Sequence, residues 1–147
     1  MVTKPAIRTL LPHRILVLDG AMGTMIQDAS PSMDDFQNYE GCNEILNVTR
    51  PDIISSIHAQ YLKAGAEAIE TNTFGANFAN LAEYGIEDRI YELAFAGGKI
   101  AREAADSFST STGILSGNEP IPTALLTPIP FSCPHTSANN SLQPLII

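Results

Sequence analysis

Ile15-Leu16-Val17-Leu18 is a continuous apolar run that stops at Asp19-Gly20. A run apolar on both faces fits a strand buried on both sides of a parallel sheet, with the glycine starting a turn. A helix follows downstream. Pro51 suits its first turn, Asp52 suits the positive end of its dipole, and Ile53, Ile54, Ile57, Tyr61 and Leu62 recur at helical spacing up to Lys63 and a stop at Gly65. Ala66 to Thr71 reads as a second strand, weakened by Glu67 and Glu70. Next come a short helix over 78–84 that stops at Gly85 and a long amphipathic helix over 88–108. The long helix places Ile90, Leu93, Ala94, Ile100, Ala101, Ala104, Ala105 and Phe108 on one face, and Gly97-Gly98 is a soft spot costing roughly 1 kcal/mol per glycine. Strand, long loop, helix, strand, loop, helix is the alternation of an α/β fold, either doubly wound or a barrel.

This pattern ends near Ser109. All eight Lys and Arg and 15 of the 16 Asp and Glu precede that position, leaving Glu119 as the only charged side chain in the last 39 residues. Six of the ten prolines lie in the same stretch, where they exclude a continuous helix and remove donors from any central strand. Residues 109–147 therefore read as an irregular or disordered tail rich in Pro, Ser and Thr, although its low charge is unusual for disorder and would let it adhere to an exposed surface nearby.

A net charge of −8 leaves no basic surface for a phosphate backbone, so nucleic acid is not an expected partner. No apolar run approaches the roughly 18 residues of a membrane span, so no membrane association is expected. The run at 15–18 is too short for a signal sequence, and the expected location is the cytoplasm, with an organellar transit peptide as the alternative for the basic start at Lys4, Arg8 and Arg14. Two distant cysteines, Cys42 and Cys133, are too few for a disulfide framework and read as free thiols.

Chemistry in α/β proteins lies just beyond the carboxyl ends of strands. After the first strand stand Asp19, Gly20, Gly23 and Thr24; the glycines can turn the backbone and expose N–H groups to a carboxylate, while Asp19 offers a charge to an ammonium. The same residues would equally make a plain turn. After the second strand stand Glu70, Asn72 and Thr73. Glu70 is either a carboxylate facing a pocket or a solvated loop charge, and Asn72 and Thr73 are either ligand groups or turn residues. His58 reads as a surface or half-buried helix residue, having no companion at metal-ligand spacing, and Cys42 as a buried, inert thiol.

Three phrases, RILVLDGAMGTMIQ over 14–27, GCNEILNVTRPDIISSIHAQYLKAGA over 41–66 and IETNTFGA over 69–76, carry a resemblance. The stretch 14–108 resembles the start of the homocysteine S-methyltransferase domain, most closely the homocysteine-binding module of cobalamin-dependent methionine synthases. That resemblance implies an α/β fold of (β/α)8 barrel type, of which this chain would hold the first two β/α units between an N-terminal extension over 1–13 and the tail. It implies homocysteine as the substrate, methyl transfer to its thiolate to give methionine, and zinc held by three cysteine thiolates to activate the sulfur. Cobalamin would be carried by other modules of a full-length protein. The resemblance also matches Asp19, Gly20, Gly23, Thr24, Glu70, Asn72 and Thr73 to the amino-acid site.

Two strands cannot close a barrel, which usually takes around 250 residues, and neither cysteine matches the family's metal positions. The change at Ser109 reads as a truncated gene, a frameshift or a misassigned exon. This chain is accordingly expected to bind no cofactor and to be inactive alone. The competing reading is a non-catalytic fragment with at most weak binding of an amino acid or a partner.

Overall fold

The computed structural model describes residues 12–13 and 15–111. The irregular tail is expected from 109, but residues 109–111 continue the last helix; its remainder from 112 onward, including Cys133, lies outside the described residues, as does most of the N-terminal extension.

Five helices carry the described chain: α1 (Met22–Ala29), α2 (Leu46–Thr49), α3 (Pro51–Ala64), α4 (Phe78–Ala82) and α5 (Ile90–Ser111). Short 3₁₀ turns, Asn43–Ile45 and Glu87–Arg89, lead into α2 and α5. Helix α3 begins and ends where its sequence signals lie. Gly65 takes φ +107°, its N–H donates to the Leu62 carbonyl at 3.1 Å, and the Ala66 N–H donates to the Tyr61 carbonyl at 3.0 Å. This double bond closes the helix and turns the chain into the next segment. Gly85, at φ +68°, closes α4 in the same way, with Gly85 and Ile86 N–H groups bonded to Ala82 and Leu81 carbonyls.

The expected pair of strands does not form, and this corrects the α/β expectation. Among the described residues the fold is almost entirely helical. Among those residues neither a complete nor a partial (β/α)8 topology is seen; one isolated parallel bridge, Leu18 to Ala68, stands where two strands were expected. Carboxylates explain the interruption. The bridge has its two backbone bonds, Asp19 N–H to the Ala68 carbonyl at 3.0 Å and Ala68 N–H to the Val17 carbonyl at 3.3 Å. A parallel ladder would continue with Glu70 N–H on the Asp19 carbonyl and Val17 N–H on the Ala66 carbonyl. Instead, the Asp19 side chain takes the Glu70 N–H, both oxygens at 3.0 Å, and the Glu67 side chain takes the Val17 N–H at 3.3 Å. Side-chain acceptors thus end the ladder after one rung in each direction.

The core is built by helices. Ile26 of α1, Leu46 of α2, Ile53, Ile54 and Ile57 of α3 and Ile100 of α5 form one cluster. Leu62 and Ile69 pack against Ala101 and Ala105 of α5 in another, where small alanines leave room for the neighbouring segment. A third joins Cys42, Ile45, Leu81, Ile86 and Leu93. Gly97 is a point of close approach between segments: a Cβ there would lie 2.7 Å from Asn47 Nδ2 and 2.7 Å from Thr73 Cγ2, whereas nothing lies within 4 Å of a Cβ at Gly98.

Candidate functional site

The single bridge brings together the two segments that the sequence marked. Asp19 and Glu70, 51 positions apart, meet through the Asp19 carboxylate and the Glu70 N–H. Partial burial pushes the Asp19 carboxyl up to about 6; the Glu70 N–H opposes this and the nearby Glu70 charge adds to it. The Asp19 carboxylate is thus partly withdrawn from water and within reach of the Glu70 charge.

Beyond Asp19 the chain enters α1. Ala21 precedes the helix and has no side-chain oxygen to cap it, so the first-turn N–H groups from Met22 to Thr24 have no side-chain acceptor. Thr24 Oγ1 donates to the Ala21 carbonyl at 3.4 Å. Gly23 leaves space beside Asn43, whose Nδ2 would be 4.0 Å from a Cβ there. The Tyr61 hydroxyl also donates to the Ala21 carbonyl, at 3.1 Å, and its ring lies against Gly20.

Asn72 and Thr73 have local partners. Asn72 is buried, and its amide donates to the Asn43 carbonyl and to Asn47 Oδ1, both at 2.9 Å. Asn47 donates in turn to the Asn72 and Leu93 carbonyls at 2.8 and 3.1 Å. The hydroxyls of Thr71 and Thr73 share a bond of 2.6 Å. Sequence reasoning missed the buried carboxylate of Glu44, whose Oε1 accepts the Gly75 N–H at 2.6 Å. A cavity of about 210 Å3 opens beside it, lined by Cys42, Asn43, Glu44, Gly75, Leu81 and Tyr84; Asp19 and Glu70 do not line it.

His58 departs from its expected place at or near the surface. It is fully buried in α3, and neither ring nitrogen has a partner, so burial pushes its pKa down to about 4.

The donor set does not fit a three-thiolate zinc centre. The sequence has two cysteines. Cys42 is buried with its thiol 3.9 Å from Glu44 Oε2; burial, reinforced by that carboxylate, raises its pKa and keeps the proton on sulfur. Among the described residues, no group of three or more His, Cys, Asp or Glu is placed to hold a metal ion.

Comparison with known proteins agrees with the sequence resemblance. The methionine synthase of Mycobacterium leprae is 54% identical over 100 residues, which cover 68% of this chain and 8% of that protein. The methionine synthase of Mycobacterium tuberculosis is 54% identical over 101 residues, 69% of this chain and again 8% of the relative. The chain thus spans about 8% of the length of these curated relatives. Among solved structures, the homocysteine methyltransferase MmuM from Escherichia coli matches with a TM-score of 0.59 in both its oxidized and metallated forms. Identities are 27% and 25%, covering 73% and 75% of this chain and 36% and 38% of the solved ones. No membrane-crossing helix is found among the described residues. The family's own sequence pattern matches residues 16–141, beyond Phe108 and across most of the chain: this protein belongs to the homocysteine S-methyltransferase family.

Proposed function

We propose that this chain carries the amino-acid-recognition part of homocysteine S-methyl transfer. The observation that supports this reading is the meeting of Asp19 and Glu70 beside the uncapped start of α1. An α-amino acid has an ammonium for the two carboxylates and a carboxylate for the N–H groups around Gly20, Gly23 and Thr24. Asn72 and Thr73 shape the site from the second segment, with Asn72 acting through its buried bonds to Asn43 and Asn47.

In the family reaction the homocysteine sulfur attacks a methyl donor as a thiolate, and a zinc ion supplies the acidity that forms it. The residues of this chain do not fit that metal, so the part assigned to it is binding and orientation of the amino-acid end. The 147-residue chain alone is expected to form no methionine.

Titration of isotope-labelled chain by NMR tests this reading. L-homocysteine and L-methionine should both perturb the amides of 19–24 and 70–73, with millimolar affinity, about −4 kcal/mol, and little preference between them. Asp19→Asn should abolish the effect. Absence of any response at those amides with both amino acids at tens of millimolar would overturn it. A second reading, a non-catalytic piece that binds a partner, draws on the 89% exposure of Ile15 and 93% exposure of Phe74; concentration-dependent self-association without amino-acid binding would favour it.

A further inference from the structure

Tyr61 joins the two halves of the candidate site. It lies in the last turn of α3, with Leu62, Lys63 and Ala64 after it. Its backbone carbonyl accepts the Ala66 N–H at 3.0 Å and so sets where the chain leaves the helix toward Glu70. Its hydroxyl reaches 40 positions back and donates to the Ala21 carbonyl at 3.1 Å. Its ring covers the face of Gly20 on the way: a Cβ at that glycine would stand 3.4 Å from the hydroxyl oxygen and 3.6 Å from Cε1. One residue thereby holds both the entry to 66–70 and the turn between Asp19 and α1.

We infer that Tyr61 is a positioning residue that sets the start of α1 against Asp19, so that the carboxylate-binding and ammonium-binding ends of the site are held at a fixed separation. This inference rests on the amino-acid reading proposed above. The hydroxyl acts on the Ala21 carbonyl, directly before the first-turn N–H groups, whereas Asp19 is held independently by the Glu70 N–H. Loss of the hydroxyl should therefore loosen the carboxylate end and spare the ammonium end.

Tyr61→Phe retains the ring and removes the bond. Two probes separate the ends of the site: L-methionine has both charged groups, and 3-(methylthio)propylamine has only the amine. In the full 147-residue chain, Tyr61→Phe should weaken L-methionine binding about 5-fold, within the range expected for one hydrogen bond to a carbonyl. Binding of the amine should stay within about twofold. Equal losses for both probes would reduce Tyr61 to a general support of the fold, and no loss for either would leave it without a role in positioning; either result overturns the inference. If the unaltered chain binds neither probe, the amino-acid reading itself fails, and Tyr61 is then judged in the free chain. There, Tyr61→Phe should speed amide exchange at Met25 and Ile26 of α1 at least about 5-fold relative to Ile57 of α3, since local opening is what that bond restrains. Unchanged relative exchange would overturn the positioning role as well.

Discussion

His58 should make the stability of this chain sensitive to mild acid. Its imidazole is fully buried with two unpartnered nitrogens, and burial pushes its pKa from 6.5 to about 4. Between those values the unfolded chain takes up a proton that the folded chain refuses, so stability falls as pH drops through the window and levels off below pH 4. The full difference is about 3 kcal/mol, and most of it is already lost at pH 4.5. Asp19 works in the opposite direction. Its raised pKa lets the folded chain keep a proton between 3.8 and about 6, so its contribution falls as pH rises; its partial exposure makes this the smaller effect. His58→Leu isolates the imidazole, because Asp19 and the paired carboxylates of Asp35, Asp52 and Glu92, whose pKa values are lowered by their hydrogen bonds, are common to both proteins. Urea unfolding followed by circular dichroism at pH 7.5 and 4.5 supplies the measurement. The variant should be more stable by about 1–3 kcal/mol at pH 7.5, from removal of unpaired polar atoms, and by a further amount of about 2 kcal/mol at pH 4.5. A stability difference that is the same at both pH values within about 0.5 kcal/mol would show that the imidazole accepts its proton as freely in the folded chain as in the unfolded one.

The neighbouring glycines of α5 should respond in opposite directions in the same unfolding assay. Gly97→Ala should destabilise by about 1–3 kcal/mol through its approach to Asn47 and Thr73, while Gly98→Ala, with open space, should stabilise by up to about 1 kcal/mol. Amino-acid binding should weaken about tenfold between pH 8 and pH 5, because the ammonium requires ionised Asp19 and its pKa is about 6; a flat profile in the NMR titration would remove Asp19 from the site. Metal analysis after dialysis should find no stoichiometric zinc, given two cysteines and a buried, protonated Cys42, and one tightly held zinc per chain would refute that reading of the donor set.

Sequence reasoning succeeded where structure is governed by neighbours along the chain. Pro51 and Gly65 bound α3, and Gly85 stops α4, because each uses a property of its own backbone. Helix α1 was missed. Asp19-Gly20 and Gly23 read as a turn, although Met22, Met25 and Ile26 already lie at helical spacing and pack into the core. Gly97 reads as a weakness in a helix; its close approach to Asn47 and Thr73 is what requires a glycine there, and no local pattern connects those residues to it. His58 lies four positions from Ile54 and four from Leu62, on the stripe that α3 buries, and the polarity of its imidazole masks that sign of burial. Asn72 reads from the sequence as either a ligand group or a turn residue, and its amide bonds to Asn43 and Asn47, partners 29 and 25 positions away that no local pattern connects to it.

The lost sheet and the candidate site have a common cause. An apolar run followed by a carboxylate reads as a strand followed by a functional loop, and that reading assumes that the backbone keeps the ladder for itself. Here Asp19 and Glu67 compete for ladder donors, and each wins because a carboxylate is a stronger acceptor than a carbonyl. For Glu67 the result is an end to the regular ladder, although its own N–H still donates to the Val17 carbonyl at 2.7 Å. For Asp19 it has a second consequence: the side chain that takes the Glu70 N–H is drawn out of water and set beside the Glu70 charge, and these are the conditions that raise its pKa and favour an ammonium. The interruption of the ladder therefore leaves the Asp19 carboxylate, partly withdrawn from water, on the Glu70 N–H. Hydrophobic periodicity contains no information about that competition, because it records which side chains avoid water and not which acceptors reach a backbone N–H first.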